Sequence, residues 1–85
     1  MNPMTDAQIV AMIQEALASV APTRVADFQA LTLDATIESL GLDSIATMEM
    51  VGAIEDRIST TFPDEELAKV QKISDLARLI RAASA

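Results

Sequence analysis

The amino-acid sequence predicts an all-α fold, a four-helix bundle with three longer helices, one short third helix and a long first loop. Three observations carry that expectation. Apolar residues recur at three- and four-residue steps in separate segments, the period of a helix that buries one face. Each segment opens on residues that start helices. The apolar material is Ala, Ile, Leu, Val and 5 Met, with only 2 Phe and no Trp or Tyr, a composition suited to helices. At 85 residues the chain is expected to form a single domain over 1–85, close to the lower limit at which a hydrophobic core holds a fold unaided.

The first helix is expected over about 6–20. Thr5 and Gln8 have capping-box spacing, Asp6 falls in the first turn, and Ile9, Met12, Ile13, Ala16, Leu17 and Val20 form the apolar stripe. Pro22 ends it. The stretch 21–42 has no sustained period, only isolated apolar residues such as Val25, Phe28, Leu31, Leu33, Ile37 and Leu40. A loop of that length is uncommon in a compact domain unless it is functional or pinned by its own anchors, here with a short helical turn expected around 33–39. The second long helix should run over about 44–58, with Asp43 as its N-cap. A polar break over 59–62 follows. Pro63, Asp64, Glu65 and Glu66 then read as the start of a short helix over about 63–69, with Pro in the first turn and acids at the positive end of the dipole. Ser74 is the expected cap of a last helix over about 75–83. In it Leu76, Leu79, Ile80 and Ala83 face inward, Arg78 and Arg81 sit near the negative end, and 83–85 should fray.

The composition excludes most common enzyme chemistry. The chain has no Cys and no His, so it has no disulfide, no Cys/His zinc site, no thiol nucleophile and no imidazole base of its own. No metal site is expected, and no segment has the alternating acids of a calcium-binding loop. With 13 Asp plus Glu against 6 Lys plus Arg, the formal net charge is -7, which disfavours nucleic acid and anionic membranes and favours partners with basic patches. No apolar run is long enough to span a membrane, and no basic segment leads into an apolar one near the N-terminus, so a cytoplasmic, monomeric protein is expected.

The second long helix says more. Advancing roughly 100° per residue, it gathers Thr47, Met50, Val51, Ile54 and Ile58 on a core stripe. Ile45, Met48, Glu49, Gly52, Glu55 and Asp56 project the other way, two large apolar residues beside three acids on a solvent-facing side. Lone exposed apolar residues are ordinary and acids on a helix face are usually just solvated, so the pattern leaves docking and a plain solvated face both open. Ser44 is similarly ambiguous. A serine in a helix's first turn is most often a cap or a neutral surface residue, yet a phosphate ester there would meet free N–H groups and the positive end of the dipole. Asp43 opposes such an ester unless a metal ion or a basic partner is present.

The run Leu40-Gly41-Leu42-Asp43-Ser44-Ile45 resembles the carrier-protein family, the acyl carrier proteins and their peptidyl relatives. That family's hallmark is Asp-Ser-Leu or Asp-Ser-Ile after Leu-Gly-x, with the serine at the head of the second helix. The placement at mid-chain, the amphipathic first helix and the segment Phe62-Pro63-Asp64-Glu65-Glu66 extend the resemblance over nearly the whole chain. It implies a non-catalytic carrier with 4'-phosphopantetheine esterified to Ser44 by a separate phosphopantetheinyl transferase. The arm's thiol would hold acyl groups as thioesters, which gives the missing cysteine a reason. Asp43 would help place Ser44 and the transferase's magnesium. Ile45, Met48, Glu49, Gly52, Glu55 and Asp56 would form the surface read by acyl-transfer, ketosynthase or ligase enzymes with basic docking patches.

Three positions depart from the housekeeping pattern. Ala46 and Arg57 stand where many fatty-acid-synthesis carriers have acids, and Gly52 lies on a face often occupied by a larger residue. These lean toward a dedicated carrier in a specialised, polyketide-like or modified fatty-acid pathway. A peptidyl or other small-carboxylate carrier loaded by an adenylating enzyme is the alternative within the family, and a small acidic helical interaction module without a prosthetic group is the alternative outside it. Met12, Met50, Ile54 and Leu79 are candidates for an adaptable pocket that admits an acyl chain, because Met side chains repack readily, though ordinary core packing accounts for them equally.

Overall fold

The computed structural model describes residues 4–84 and places four α-helices in the order α1 (Asp6–Val20), α2 (Ser44–Ile58), α3 (Asp64–Leu67) and α4 (Ile73–Ser84). The expected α-helical bundle is present. Residues 1–3, the side chain of Ser84 and Ala85 lie outside the described residues, and with them the ends of the expected 1–85 domain and part of the expected fraying over 83–85. Among the described residues no helix is long and apolar enough to cross a membrane.

α1 starts as its capping box dictates. The Thr5 hydroxyl accepts from Gln8 N–H at 3.1 Å, and the Gln8 side chain accepts from Thr5 N–H at 2.8 Å. Its stripe buries Ile9, Ile13, Ala16 and Leu17. α1 packs on α2, on α4 and on the connection that follows it. Fully buried Ile9, Ile13 and Leu17 meet Met50 and Ile54 of α2 and Ile73, Leu76 and Ile80 of α4 in one core. Each such side chain contributes about 1.5–3 kcal/mol by leaving water. By comparison, the exposed ion pairs Arg57–Glu15 and Arg81–Asp6 that tie α1 to α2 and α4 add little.

The expected loop 21–42 is more ordered than its sequence suggests. Pro22–Phe28 forms a 3-10 helix with a kink at Arg24, and the second 3-10 turn lies at Glu38–Leu40, later than the turn expected around 33–39. The reason is tertiary. The segment 33–37 pairs through its backbone with the residues that lead into α4: Ile37 N–H donates to Gln71 C=O at 2.8 Å, Ile73 N–H to Ala35 C=O at 2.8 Å and Ser74 N–H to Leu33 C=O at 2.9 Å. Buried Phe28 and Leu40 anchor the rest.

Three other expectations are corrected. The break over 59–62 is not wholly polar: Ser59 closes α2 in the left-handed region (φ 54°), while Phe62 is buried and its N–H donates to the Glu55 carboxylate at 2.6 Å. α3 is one turn rather than the expected 63–69, with Pro63 as its N-cap; beyond Leu67 the bonds Lys69 N–H to Glu66 C=O and Val70 N–H to Leu67 C=O tighten to three-residue steps. None of its residues is fully buried, so packing does little to prolong it. α4 begins at Ile73, not 75, and Ser74 is not its cap. Asp75 reaches back instead, its Oδ2 accepting from Gln71 N–H and Lys72 N–H at 3.0 Å each. Those two backbone N–H donors, with the Arg78 guanidinium behind them, hold the Asp75 carboxyl below its ordinary value.

Candidate functional site

The candidate site grows from the turn before α2. Gly41 ends the Glu38–Leu40 turn at φ 69°, a conformation that glycine adopts without the Cβ clash other residues meet. Half-buried Leu42 anchors the turn against the core. Asp43 is then extended (φ -77°, ψ 176°), and its Oδ1 accepts from Ala46 N–H at 2.7 Å while its carbonyl accepts from both Thr47 N–H and the Thr47 hydroxyl. Asp43 therefore fixes the first turn of α2 by three bonds. Ser44 is the first helical residue, exposed, with its hydroxyl in no hydrogen bond within the described chain. The Ser44 and Ile45 N–H groups also lack an intrachain acceptor, as first-turn donors do. A hydroxyl at the positive end of a helix with free donors beside it suits a phosphate ester.

The face beyond Ser44 divides into two parts. Ile45 and Met48 are 72% and 58% exposed, two large apolar side chains within one turn of the serine. Toward the C-terminus of α2, Glu49, Gly52, Glu55 and Asp56 border an open groove of about 690 Å³ closed on its other side by Ser19, Val20 and residues 59–61. A Cβ added to Gly52 would meet nothing within 4 Å, so this glycine widens the groove. Glu49 and Asp56 are exposed, but Glu55 is half-buried and committed to Phe62 N–H, so that acid shapes the fold as well as the face.

The four residues expected to form an acyl pocket lie in or against one core. Met50 and Ile54 are fully buried, and Met12 and Leu79 are half-buried against the same core. Met50 alone of the four lines a small apolar pocket of about 90 Å³, whose other walls are Ile37, Thr47, Met48, Val51, Leu67, Val70 and Leu76. Thr47 and Met48 lie one turn on from Ser44. Sequence reasoning missed Ile37, Leu67 and Val70 because they sit in the connection and around the short helix, where no long period marks them; the Leu67 and Val70 spacing was the available signal.

A family model described as a phosphopantetheine attachment site matches residues 7–80. The chain belongs to the phosphopantetheine-attachment family. Similar curated proteins agree with this. An acyl carrier protein of Akkermansia muciniphila is 43% identical over 51 residues, 59% of this chain and 64% of that protein. An acyl carrier protein homolog of Ureaplasma parvum serovar 3 is 41% identical over 44 residues, 52% of this chain and 57% of that protein, and an acyl carrier protein of Rickettsia bellii is 39% identical over 44 residues, 52% and 54%. The matches thus span a little over half the length of these relatives. No solved structure matches the chain. The carrier domain implies a covalently attached 4'-phosphopantetheine, and an exposed, unengaged hydroxyl at a helix N-terminus fits that group.

Proposed function

We propose that this chain is an acyl carrier protein with Ser44 as the point of 4'-phosphopantetheine attachment. The observation that carries the reading is the free, exposed Ser44 hydroxyl at the head of α2, in a first turn fixed by Asp43. Asp43 also places a carboxylate beside the serine, where the transferase's magnesium would neutralise it. When attached, 4'-phosphopantetheine supplies the thiol that the cysteine-free chain lacks and on which an acyl group is carried. The polypeptide is itself non-catalytic, a monomeric cytoplasmic protein that other enzymes act on.

Ile45 and Met48 seat in a partner's shallow apolar pocket while Glu49 and Asp56 meet Lys or Arg around it. Partners of that kind are the phosphopantetheinyl transferase and acyl-transfer, ketosynthase or ligase enzymes with basic docking patches. Exposed charge pairs are individually weak, so complexes are salt-sensitive and short-lived, as a carrier that visits several enzymes requires. The face is poor in acids at two points: Ala46 replaces an acid of the usual pattern, and Arg57 pairs with Glu15 of α1. This supports a dedicated carrier in a specialised pathway. The pocket beside Met48 and Met50 offers apolar cover to the first part of an acyl chain, narrowing the sequestration idea to Met50 and its neighbours. The reading is tested by intact mass after incubation with coenzyme A and a broad transferase. A gain of one phosphopantetheine, absent in Ser44→Ala, supports it; no gain in the native chain overturns it.

A further inference from the structure

Arg24 stands at the kink of the first 3-10 helix, with φ -112° and ψ 18°. Its guanidinium serves three neighbours at once. Nε donates to Asp27 Oδ2 at 3.1 Å, Nη1 makes a long hydrogen bond of 3.4 Å to the Gly41 carbonyl, and Cζ lies over the Phe28 ring, 5.0 Å from its centroid. A planar fork can stack and donate in two directions together, which an ammonium cannot. Both Nη atoms also lie 3.5 Å from the place where a Cβ on Gly41 would stand, so the bare α-carbon gives the guanidinium its seat. Gly41 is three residues before Ser44. Among the described residues, this is the one side-chain hydrogen bond that reaches the turn 41–43 from a residue earlier in the chain; the Thr47 hydroxyl reaches it from α2.

We propose that Arg24 is a positioning residue for the attachment serine: by tying the Gly41 carbonyl to Asp27 and Phe28, it holds the turn that presents Ser44 to the transferase. Phe28 is buried and its carbonyl accepts a 2.9 Å bond from Gln14 Nε2, so the bracket is fixed to α1 and not to a free loop. Without Arg24 the turn is held by Leu42 packing and by its own backbone, and it samples conformations in which Asp43 does not cap α2. A transferase that recognises the capped form then meets a smaller competent population, which raises the apparent KM for the carrier and leaves kcat unchanged.

The inference rests on Ser44 being the attachment point and is tested in native, Arg24→Gln and Arg24→Lys proteins by two measurements. The first is amide hydrogen exchange at Gly41, Ala46 and Thr47, whose N–H groups are bonded within or across the turn, with Ile13 and Ile80 of the core as references. The second is the KM and kcat of phosphopantetheinyl transfer. In Arg24→Gln, exchange at the three turn amides should rise about fivefold, the effect of losing one long, exposed bond, and the KM should rise by the share of the capped population lost, with kcat and the exchange of Ile13 and Ile80 unchanged. Arg24→Lys keeps a donor but not the fork and should recover part of both. Native-like exchange and KM in Arg24→Gln would overturn the proposal, and so would faster exchange spread equally to Ile13 and Ile80. If the native chain takes no phosphopantetheine, the attachment reading fails and this proposal with it; a negative result confined to the Arg24 comparison removes this proposal alone.

Discussion

Replacing Glu55 with Ala should destabilise the bundle, although the residue lies on the face expected to meet partners. Its Oε2 accepts the Phe62 N–H at 2.6 Å, and Phe62 is only 4% exposed. Truncation strands that N–H in a part-buried place. A hydrogen bond to a charged acceptor is worth about 1.5–3 kcal/mol, and a domain of this size shifts its Tm by about 4–8 °C per kcal/mol, so Glu55→Ala should lower Tm by on the order of 10 °C. Glu55→Gln retains an acceptor and should lose about half as much. Removing an acid also relieves self-repulsion in a chain of charge -7, so the proper reference is Glu49→Ala, which removes the same charge from the same face without breaking a bond. Melting followed by circular dichroism at pH 7 and fixed ionic strength compares the three. If Glu55→Ala melts within about 2 °C of Glu49→Ala, the bond to Phe62 does not hold the break between α2 and α3, and the reasoning is refuted.

Other outcomes can be checked on the same material. Gly52→Ala fills open space in a helix interior and should stabilise by about 1 kcal/mol, raising Tm by about 5 °C, whereas a lowered Tm would mean that α2 needs the glycine. Asp75 has a folded pKa below its ordinary 3.8, so its contribution is complete above that value and lost as pH falls through the lower folded value. Melts from pH 6 to 2.5 should therefore show the native protein and Asp75→Asn converging below pH 4, and a constant gap across that range would contradict the capping role. Met48→Glu and Glu49→Lys should each slow acyl transfer by a partner about fivefold or more, with helicity retained and the Glu49 effect shrinking in salt; unaltered transfer in both would place the docking surface elsewhere.

The features legible in the sequence are those set within a few residues. α1 and α2 have the expected bounds because Thr5 with Gln8 and Asp43 with Ala46 close their caps locally, and the stripe of Met50, Val51 and Ile54 needs only the helical period. The place of Ser44 at the head of α2 was legible for the same reason, since an N-cap aspartate fixes where the helix starts; its role came only from the resemblance of Leu40 to Ile45 to the carrier family. What escaped depends on partners distant in sequence. α4 starts early because residues 33–37 pair with 71–74 across the molecule, and that pairing takes the Ser74 N–H, leaving Asp75 to reach back. Glu55 reads as a surface acid until the break folds Phe62 onto it. The pocket near Ser44 escaped because a cavity wall is assembled from several elements, and the spacing of Met12, Met50, Ile54 and Leu79 says nothing of Ile37 or Val70.

The most direct test of the central claim is where the prosthetic group lands. The native chain has exposed serines at Ser19, Ser39 and Ser59 besides Ser44, so intact mass alone does not name the residue. Tandem mass mapping of the proteolysed product, after treatment with coenzyme A and a broad transferase, should locate a single phosphopantetheine on Ser44, and Ser44→Ala with native helicity should remain unmodified. A phosphopantetheine on any other serine, or an unmodified native chain, would contradict the account.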